Sequence, residues 1–547
     1  MTRSSQRITL TALLLAIMHG STLFAQVQWM HQGGIGGMGN GIASDQLGNA
    51  YVTGQVNAPA LFDEDTVPSH FADAFIAKYD EAGNVQWVRT GGADLIDRAN
   101  DIAVDTDGNA YITGFFSTNG PDPTVSFDGV TLTGLGSTDL FVAKYDAGGA
   151  LLWVRSGGGP LGDQGRGITL TPDGNVVVSG FFQGTAVFDT DTHTSLGMGD
   201  IILLKYDPNG DLLWSADAGG PGDEQAGKPT ALDNGDVAVV GQYQQTAFFG
   251  AASITSQGLS NIFLARFDAS GDPLWAVTAG SSVAFAGDVA FDVDHAPNGD
   301  LVLCGEIAGD ATFGGTAVPT NGSLDVFIAR YNGEGNLLWV RHGGGPQQDH
   351  AYGVAVDADG NSYLTGQADD GATTVFDSIT LAPFGNEAVF LAKYDATGAV
   401  QWVRRYAPGL GGAVAALDGG CVYFTGGASG IVGQPAFDTV PWQFVDRAIF
   451  TARFCEEVPT SISQVGSSDT FSVFPVPADD RLTVCSPSLM SGRTRLFLMD
   501  ASARIVRTES VRGVTTSIDV AGLDPGCYQL VIEGTERRSS RTVLISR

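Results

Sequence analysis

Leu140-Phe-Val-Ala-Lys-Tyr-Asp146 runs through Ala147-Gly-Gly-Ala150 into Leu151-Leu-Trp-Val-Arg155. Two short runs rich in β-branched and aromatic residues, joined by a glycine turn, predict an antiparallel hairpin. Upstream, Asp101-Ile-Ala-Val-Asp105 alternates, Thr106-Asp-Gly-Asn109 turns, and Ala110-Tyr-Ile-Thr-Gly-Phe-Phe116 reads as another strand. The unit is therefore four short strands, with an insertion holding Phe127 between the second and third. The tryptophan phrase returns along the chain. Trp29, Trp87, Trp153, Trp214, Trp275, Trp339 and Trp402 lie 58, 66, 61, 61, 64 and 63 residues apart. Such a period, marked by glycine and aromatic residues, predicts a propeller or a related array. No segment sustains a 3.6-residue pattern, so no helix is expected.

The phase of the repeat matters. The chain enters on a lone tryptophan strand, residues 27–31, and six full units come after it. The last unit, residues 413–454, has no tryptophan strand of its own. Pairing the first strand with the last unit would close the ring and remove an open sheet edge. The expected fold is all-β: a seven-bladed β-propeller over residues 26–455, closed by the N-terminal strand.

A residue present in every unit maintains the repeat, and a residue unique to one unit is a better candidate for function. By this rule the tryptophans are packing residues. So are Phe62, Phe127, Phe188, Phe249, Phe313, Phe376 and Phe437. The third strand carries a cation each time: Lys78, Lys144, Lys205, Arg266, Arg330, Lys393 and Arg453. An aspartate ending the first strand, such as Asp105 or Asp357, is its expected partner, worth about 0–1 kcal/mol if exposed. The start of the second strand and the end of the third read Asn49/Asp80, Asn109/Asp146 and Asn175/Asp207, and become Cys421/Cys455 in the last unit. Antiparallel pairing puts these ends side by side, which predicts a Cys421–Cys455 disulfide. Closing a loop of about 35 residues stabilises by roughly 3–4 kcal/mol in the chain-entropy model, and an exported protein meets the oxidising conditions it needs. Cys304 takes a slot held elsewhere by threonine and is expected to be buried and inert.

Composition narrows the function. The chain has 547 residues, 75 of them glycine, with 60 acidic against 28 basic side chains and a net charge of −32. That charge opposes nucleic-acid binding. An apolar content of 43% is too high for a disordered acidic chain. Arg3 and Arg7, the apolar run 10–17 and Ser21-Thr-Leu-Phe-Ala25 predict a signal peptide over residues 1–25. Its apolar core is too short to span a bilayer, and no later stretch reaches 18 apolar residues, so no transmembrane segment is expected in the mature chain.

Residues 456–469 read as a polar linker, and residues 470–547 as a second domain. The latter holds 10 arginines and 8 acids, net +2, whereas residues 26–469 hold 16 basic and 52 acidic side chains, net −36. Arg481-Leu-Thr-Val484, Arg495-Leu-Phe-Leu498 and Cys527-Tyr-Gln-Leu-Val-Ile532 predict a small C-terminal β-sandwich.

The repeat phrase Asp139-Leu-Phe-Val-Ala-Lys-Tyr-Asp146, Trp153 with its Gly-Gly, and Tyr-x-Thr-Gly in the second strand resembles the SBBP family of bacterial β-propeller repeats. That resemblance implies a fold and an extracellular setting, not an activity. Tyr394-Asp-Ala-Thr-Gly-Ala-Val-Gln-Trp402 also looks like the tryptophan-docking motif of quinoprotein propellers, which packs blades and holds no quinone. Residues 470–547 resemble the type A C-terminal sorting domain of the type IX secretion system of Bacteroidota. The match rests on Ser472-Val-Phe-Pro-Val-Pro-Ala478, Leu498-Met-Asp500, Arg504-Ile-Val506, Ile518-Asp-Val-Ala-Gly-Leu-Asp-Pro-Gly526 and Arg541-Thr-Val-Leu-Ile-Ser-Arg547. It implies contact with the type IX machinery and a secreted or outer cell-surface location, reached via the periplasm.

No catalytic motif is found. Asp105-Thr-Asp-Gly-Asn109 and Asp357-Ala-Asp-Gly-Asn361 resemble calcium loops, but glycine falls at the fourth position, not the sixth, and turn chemistry explains them; calcium is the alternative reading. No other cofactor is expected. His31, His70, His193, His295, His342 and His350 share no metal-ligand spacing. The glycine runs open no helix and lack a following Lys-Ser/Thr. What remains are the unit-specific loop residues Asp97, Arg98, Asp163, Arg166, Asp349, His350 and Trp442. Among these Asp97, Arg98, His350 and Trp442 are the candidate ligand-binding residues. The expected function is an exported binding or adhesion module for a glycan or protein. The rival is a secreted hydrolase or lyase acting on a polysaccharide, which needs two unit-specific carboxylates near the ring axis.

Overall fold

The computed structural model describes residues 26–456, except 58–59, 63–64, 119–122, 370–372, 384–386, 418, 431–434, 438–439 and 442–446. Beyond them it describes 472–474, 481–485, 495–499, 505–510, 515–523, 526–533 and 538–545. The signal peptide, Trp442 and linker residues 457–469 lie outside the described residues. Every described element is a strand. The chain forms two compact units, one spanning Phe24–Glu456 and one holding Glu457–Arg547. In the smaller, Ser472–Phe474, Arg481–Cys485 and Thr515–Asp519 form one antiparallel sheet. Ile505–Ser510, Arg495–Met499, Gly526–Glu533 and Arg538–Ile545 form another. Leu482, Val484, Leu496, Leu498, Ile518 and Leu530 make a single core from both.

In the larger unit the repeat is a four-stranded antiparallel sheet. Its second copy runs from the inner strand Arg98–Val104 through Ala110–Ser117 and Thr138–Tyr145 to the outer strand Leu151–Gly157. The second and third strands are buried almost throughout. Neighbouring sheets cover both of their faces, which is why they read as continuous apolar runs. The other inner strands are Met38–Ser44, Gln164–Leu170, Gln225–Ala231, Val289–His295 and His350–Val356. The seventh is the second half of Val400–Ala416, whose first half is the outer strand of the sixth copy. Each inner strand touches the next, and Val400–Ala416 touches Met38–Ser44.

The tryptophans join neighbouring sheets. The indole N–H of Trp29, Trp87, Trp153, Trp214, Trp275 and Trp339 donates to a turn carbonyl of the following copy, on Glu81, Ala147, Pro208, Ala269, Gly333 and Ala396, at 2.9–3.2 Å. The ring lies on that turn's glycine. At Gly149 φ is +82° and a Cβ would sit 2.6 Å from the Trp87 ring, so both backbone and space require glycine. The recurring cation uses the same carbonyls. Lys78, Lys144, Lys205, Arg266 and Arg330 donate to Ala147, Pro208, Ala269, Gly333 and Ala396 at 2.8–3.4 Å. The acid partner varies more than the sequence suggests: Asp45 for Lys78, Asp173 for Lys205, Asp236 for Arg266 and Asp300 for Arg330. The cation spans the whole turn of its own copy, so an acid at either end reaches it. The insertion phenylalanines are all buried. Phe127 covers Gly91 of the preceding copy, where a Cβ would lie 2.2 Å from its ring.

The seventh sheet is assembled from both ends of the larger unit. Gln26–Ile35 pairs antiparallel with Ala448–Cys455, which pairs with Cys421–Ala428. Cys421 and Cys455 are direct register partners with Cα atoms 4.0 Å apart, and they form a disulfide. This sheet cannot have a turn between its third and outer strands, because the two are distant in the chain. Trp402 and Lys393 of the sixth copy therefore find no turn carbonyl. The carboxylate of Glu456 takes its place, accepting from the Trp402 indole and, at 2.6 Å, from Lys393 Nζ. Glu456, which the sequence groups with the linker, is thus bound into the larger unit.

Glu456→Ala is expected to lower the unfolding free energy by about 1–3 kcal/mol, as two largely buried donors lose their acceptor; Glu456→Gln, which keeps an acceptor for the indole, should cost less. Urea denaturation decides, and an alanine variant as stable as wild type refutes the role. Deleting residues 26–32 exposes Ala448–Cys455 as an edge and is expected to cause aggregation. An unchanged melting curve refutes that.

Candidate functional site

Every inner strand has a register irregularity after its second residue, for example between Ala99 and Asp101 and between Ala351 and Gly353. A bulge re-aims side chains. The third residues, in order, are Asn40, Asn100, Arg166, Gly227, Phe291, Tyr352 and Gly412, and all line one cavity of about 320 Å³. Arg98, Gln225, Lys228 and Gln242 complete its polar lining. Arg98 and Arg166 come from the second and third copies, Phe291 and Tyr352 from the fifth and sixth. Both pairs line the same cavity.

Each guanidinium is held by neutral groups. Arg98 Nε donates to Gln55 Oε1 at 3.0 Å and its guanidinium lies 5.9 Å from the Phe115 ring. Arg166 donates weakly to Gln225 Oε1 at 3.4 Å and lies 5.2 Å from the Phe181 ring. Burial lowers both pKa values, and for Arg166, with Arg98 as a neighbouring like charge, the result is about 10. Phe291 and Tyr352 have ring centroids 5.1 Å apart. Tyr352 also stacks on His350, whose Nδ1 is hydrogen-bonded to Glu306. Burial works against a charged His350, but Glu306 outweighs it and raises the pKa.

The fourth residues of the inner strands read Gly41, Asp101, Gly167, Lys228, Asp292, Gly353 and Ala413. Lys228 lines the first cavity and also a second of about 280 Å³, lined by Asp101, Asp292, Asp294 and Thr230. Its Nζ lies 3.0 Å from Asp101 and 3.4 Å from the Asn40 carbonyl, so it reaches past the third copy to the second and the first. Burial opposes its charge, but Asp101 and Asp292 hold its pKa above the usual lysine value. Asp101 also accepts from Ile168 N, Asp292 from Val354 N and Asp294 from Val356 N. Burial lifts Asp292 to about 7 against the pull of Lys228. The ion pair separates a basic cavity from an acidic one.

Of the residues singled out in the sequence, Arg98 and Arg166 meet in the first cavity and His350 stands behind Tyr352. Asp97 lies elsewhere. It is buried, accepting from Ala93 N at 2.7 Å and Ser117 N at 2.9 Å. The same slot holds Asp163, Glu224, Asp288 and Asp349, so it is a repeat position, not a unit-specific one. A second set, Asp73, Asp139, Asp200, Asn261 and Asp325, is equally buried. A Cβ on Gly158 would lie 2.3 Å from Asp139 and 2.8 Å from Asp163, so one glycine touches both carboxyls. Asn261 shows what the pair requires. Its Oδ1 accepts from Gln257 N at 2.6 Å, and its Nδ2 donates to Ser281 O at 2.9 Å and Asp288 Oδ2 at 3.2 Å. Asp139 Oδ2 accepts from Leu135 N in the same way, which leaves Oδ1 in the amide's position, buried and with no donor. Asp73, Asp200 and Asp325 repeat this. An unpartnered buried oxygen on Asp139 close to the buried Asp163 favours the protonated form, with one proton serving the pair. Burial accordingly lifts Asp97, Asp163 and Asp200 to about 6 and Glu224 to about 7.

In the calcium-like turn, Asp105 Oδ1 accepts from Asp107 N and Asn109 N, and Oδ2 from Asn109 Nδ2 and Tyr111 Oη, at 2.8–3.2 Å. Among the described residues no group of three or more His, Cys, Asp or Glu is placed to hold a metal ion. No helix among them is long and apolar enough to cross a membrane.

Residues 472–546 match the family of secretion system C-terminal sorting domains, and residues 86–121 match a β-propeller repeat family. The chain carries a type IX sorting domain and propeller repeats, and the sorting domain indicates a secreted or outer cell-surface protein. An uncharacterized WD repeat-containing protein, L264 of Acanthamoeba polyphaga mimivirus, is 24% identical over 425 residues, covering 61% of this chain and 29% of that protein. The chain thus spans less than a third of that relative's length. Among solved structures, a protein of unknown function from Bacteroides caccae is 10% identical with a TM-score of 0.28, over 69% of this chain and 94% of that one. PorZ, described as an essential bacterial surface component of the type-IX secretion system of Porphyromonas gingivalis, is 11% identical with a TM-score of 0.22, over 96% of this chain and all of that one, 100%.

The carboxyl pairs set a pH dependence. The folded pKa values of Asp97, Asp163 and Asp200, about 6, and of Glu224, about 7, lie above the ordinary carboxyl values, so the folded state keeps protons that the unfolded chain has released. Stability is therefore expected to fall as pH rises from about 4, the unfolded value, through about 7, the highest folded value. Asp139→Asn, which supplies the missing donor, should raise the melting temperature at pH 8 more than at pH 5. A variant less stable than wild type at pH 8 refutes the shared proton.

Proposed function

We propose that the larger unit is a seven-bladed β-propeller, closed by its own N-terminal strand, that acts as a binding module on the cell surface or in the secreted state. Its ligand site is the basic axial cavity. The observation that carries this reading is the contrast between repeat positions. Docking positions keep tryptophan, glycine and a cation from copy to copy, whereas the third inner-strand position holds asparagine, arginine, phenylalanine, tyrosine or glycine. A pore used only for packing needs no such variety. A concave site with a few polar groups and exposed aromatic surface is what a small-ligand pocket requires. The hydrolase or lyase reading needs a carboxylate pair open to substrate. No Asp or Glu lines this cavity among the described residues, and the acids beyond Lys228 are committed to backbone amides and to that lysine. Binding is therefore the better reading. The C-terminal domain passes the protein to the type IX machinery.

Two experiments test this. The full-length chain, applied to a glycan array and to surface polysaccharide, should give saturable binding that Tyr352→Ala weakens about tenfold; binding unaffected by that change refutes the site. Removing residues 470–547 in a host with type IX secretion should leave the protein in the periplasm, and continued surface display refutes the sorting role.

A further inference from the structure

The ligand class can be read from the charge that the cavity leaves unanswered. The chain has more than two acids for every base. Yet among the described residues neither Arg98 nor Arg166 makes an ion pair, although both line the axial cavity from adjacent copies. The acid nearest in effect to Arg166 is Asp223, which accepts from Gln225 Nε2 through Oδ2 at 3.1 Å and acts on Arg166 from a distance without forming an ion pair with it. Gln55, Gln225, Phe115 and Phe181 hold the two guanidiniums without neutralising them. Two neighbouring like charges with little hydration are costly unless an anion joins them. Guanidinium forks suit carboxylate and sulfate oxygens, which they bind with two parallel hydrogen bonds. Phe291 and Tyr352, from the fifth and sixth copies, offer apolar ring surface, and Asn40, Asn100 and Gln242 add amide groups, of which Asn40 and Asn100 also donate to the Ala99 and Gly165 carbonyls.

Resting on the binding reading above, we infer that the axial cavity takes a sugar bearing one anionic group, a uronate carboxylate or a sulfate ester, with the anion between Arg98 and Arg166 and the sugar ring toward Phe291 and Tyr352. A long polyanion is disfavoured. Residues 26–469 carry a net charge of −36, and each further anionic unit outside the cavity meets that field. A single anion inside it meets the arginines at contact distance, where screening over about 8 Å leaves them dominant.

The test uses the full-length protein and three probes: D-galacturonate, D-galactose 6-sulfate and D-galactose, measured by calorimetric titration at low and physiological salt. One or both anionic sugars should bind, galactose at least tenfold more weakly, with affinity falling as salt rises. Arg166→Gln and Arg98→Gln should each weaken the anionic sugar about tenfold or more while melting within a few degrees of wild type. Whichever anionic sugar binds identifies the source of the charge. Galactose binding as tightly as the anionic sugars, with the Tyr352→Ala effect retained, overturns the anion inference and leaves the binding site standing. Anionic binding unchanged in both glutamine variants overturns it as well, as does no binding of either anionic sugar at millimolar concentration. The glycan array judges the binding reading separately.

Discussion

The whole larger unit depends on one contact, an indole lying on a glycine turn of the next sheet. It combines two demands that only glycine meets together, a positive φ and no Cβ under the ring. It also takes the polar edge of tryptophan out of water without orphaning its N–H, since the turn carbonyl accepts it. That carbonyl receives the recurring cation too, so one backbone oxygen ties the third and outer strands of one copy to the next. The phenylalanine of the insertion makes a second tie of the same kind, an aromatic ring over a glycine of the preceding copy. The high glycine content is thus the counterpart of the aromatic marks. Each ring that joins two sheets needs a bare backbone beneath it.

This explains why the fold was legible and the site less so. Docking residues repeat, and the comparison of seven copies within one chain separates them from their surroundings. The Cys421/Cys455 exchange was legible for the same reason: a polar pair facing across the second and third strands is replaced at both positions together. The axial residues obey a different rule. Each inner strand has a bulge between its second and fourth residues. Simple alternation therefore mis-assigns which side chains face the axis. Arg98, before the bulge, and Arg166, at it, stand out in the sequence by their charge among neutral counterparts in other copies; Lys228, Asp292, Phe291 and Tyr352, also at or after the bulge, do not. Lining up the inner strands position by position would have exposed them, because glycine and alanine fill the same places in other copies. Asp97 misled in the opposite direction. It lies in a loop whose length and sequence vary between copies, yet the hydrogen bonds show one slot used five times, with Glu224 in place of aspartate in one copy.

Electrostatics in this chain is arranged by depth, not by total. The surface is strongly acidic, the first axial cavity is basic, and the second is acidic again below Lys228. The Lys228–Asp101 pair is buried and gains little net energy from Coulomb attraction alone. Its position suggests specificity as the reason it is kept. It links inner strands that are not neighbours and places a charged pair where the two cavities meet.

The sheet built from both ends of the larger unit carries its own logic. Here the repeat runs out of chain: the third strand ends at Cys455, and the outer strand begins at Gln26. Three features compensate within two residues. Cys455 is bonded to Cys421 on the strand beside it, Gln26 pairs with Cys455 on the other side, and Glu456 supplies with its side chain the acceptor that a turn supplies elsewhere. Among the described residues, the strand pairing, the disulfide and the side-chain acceptor that finish this sheet all fall at or before Glu456, so both ends of the larger unit are tied together by residues that precede the segment leading to residues 470–547.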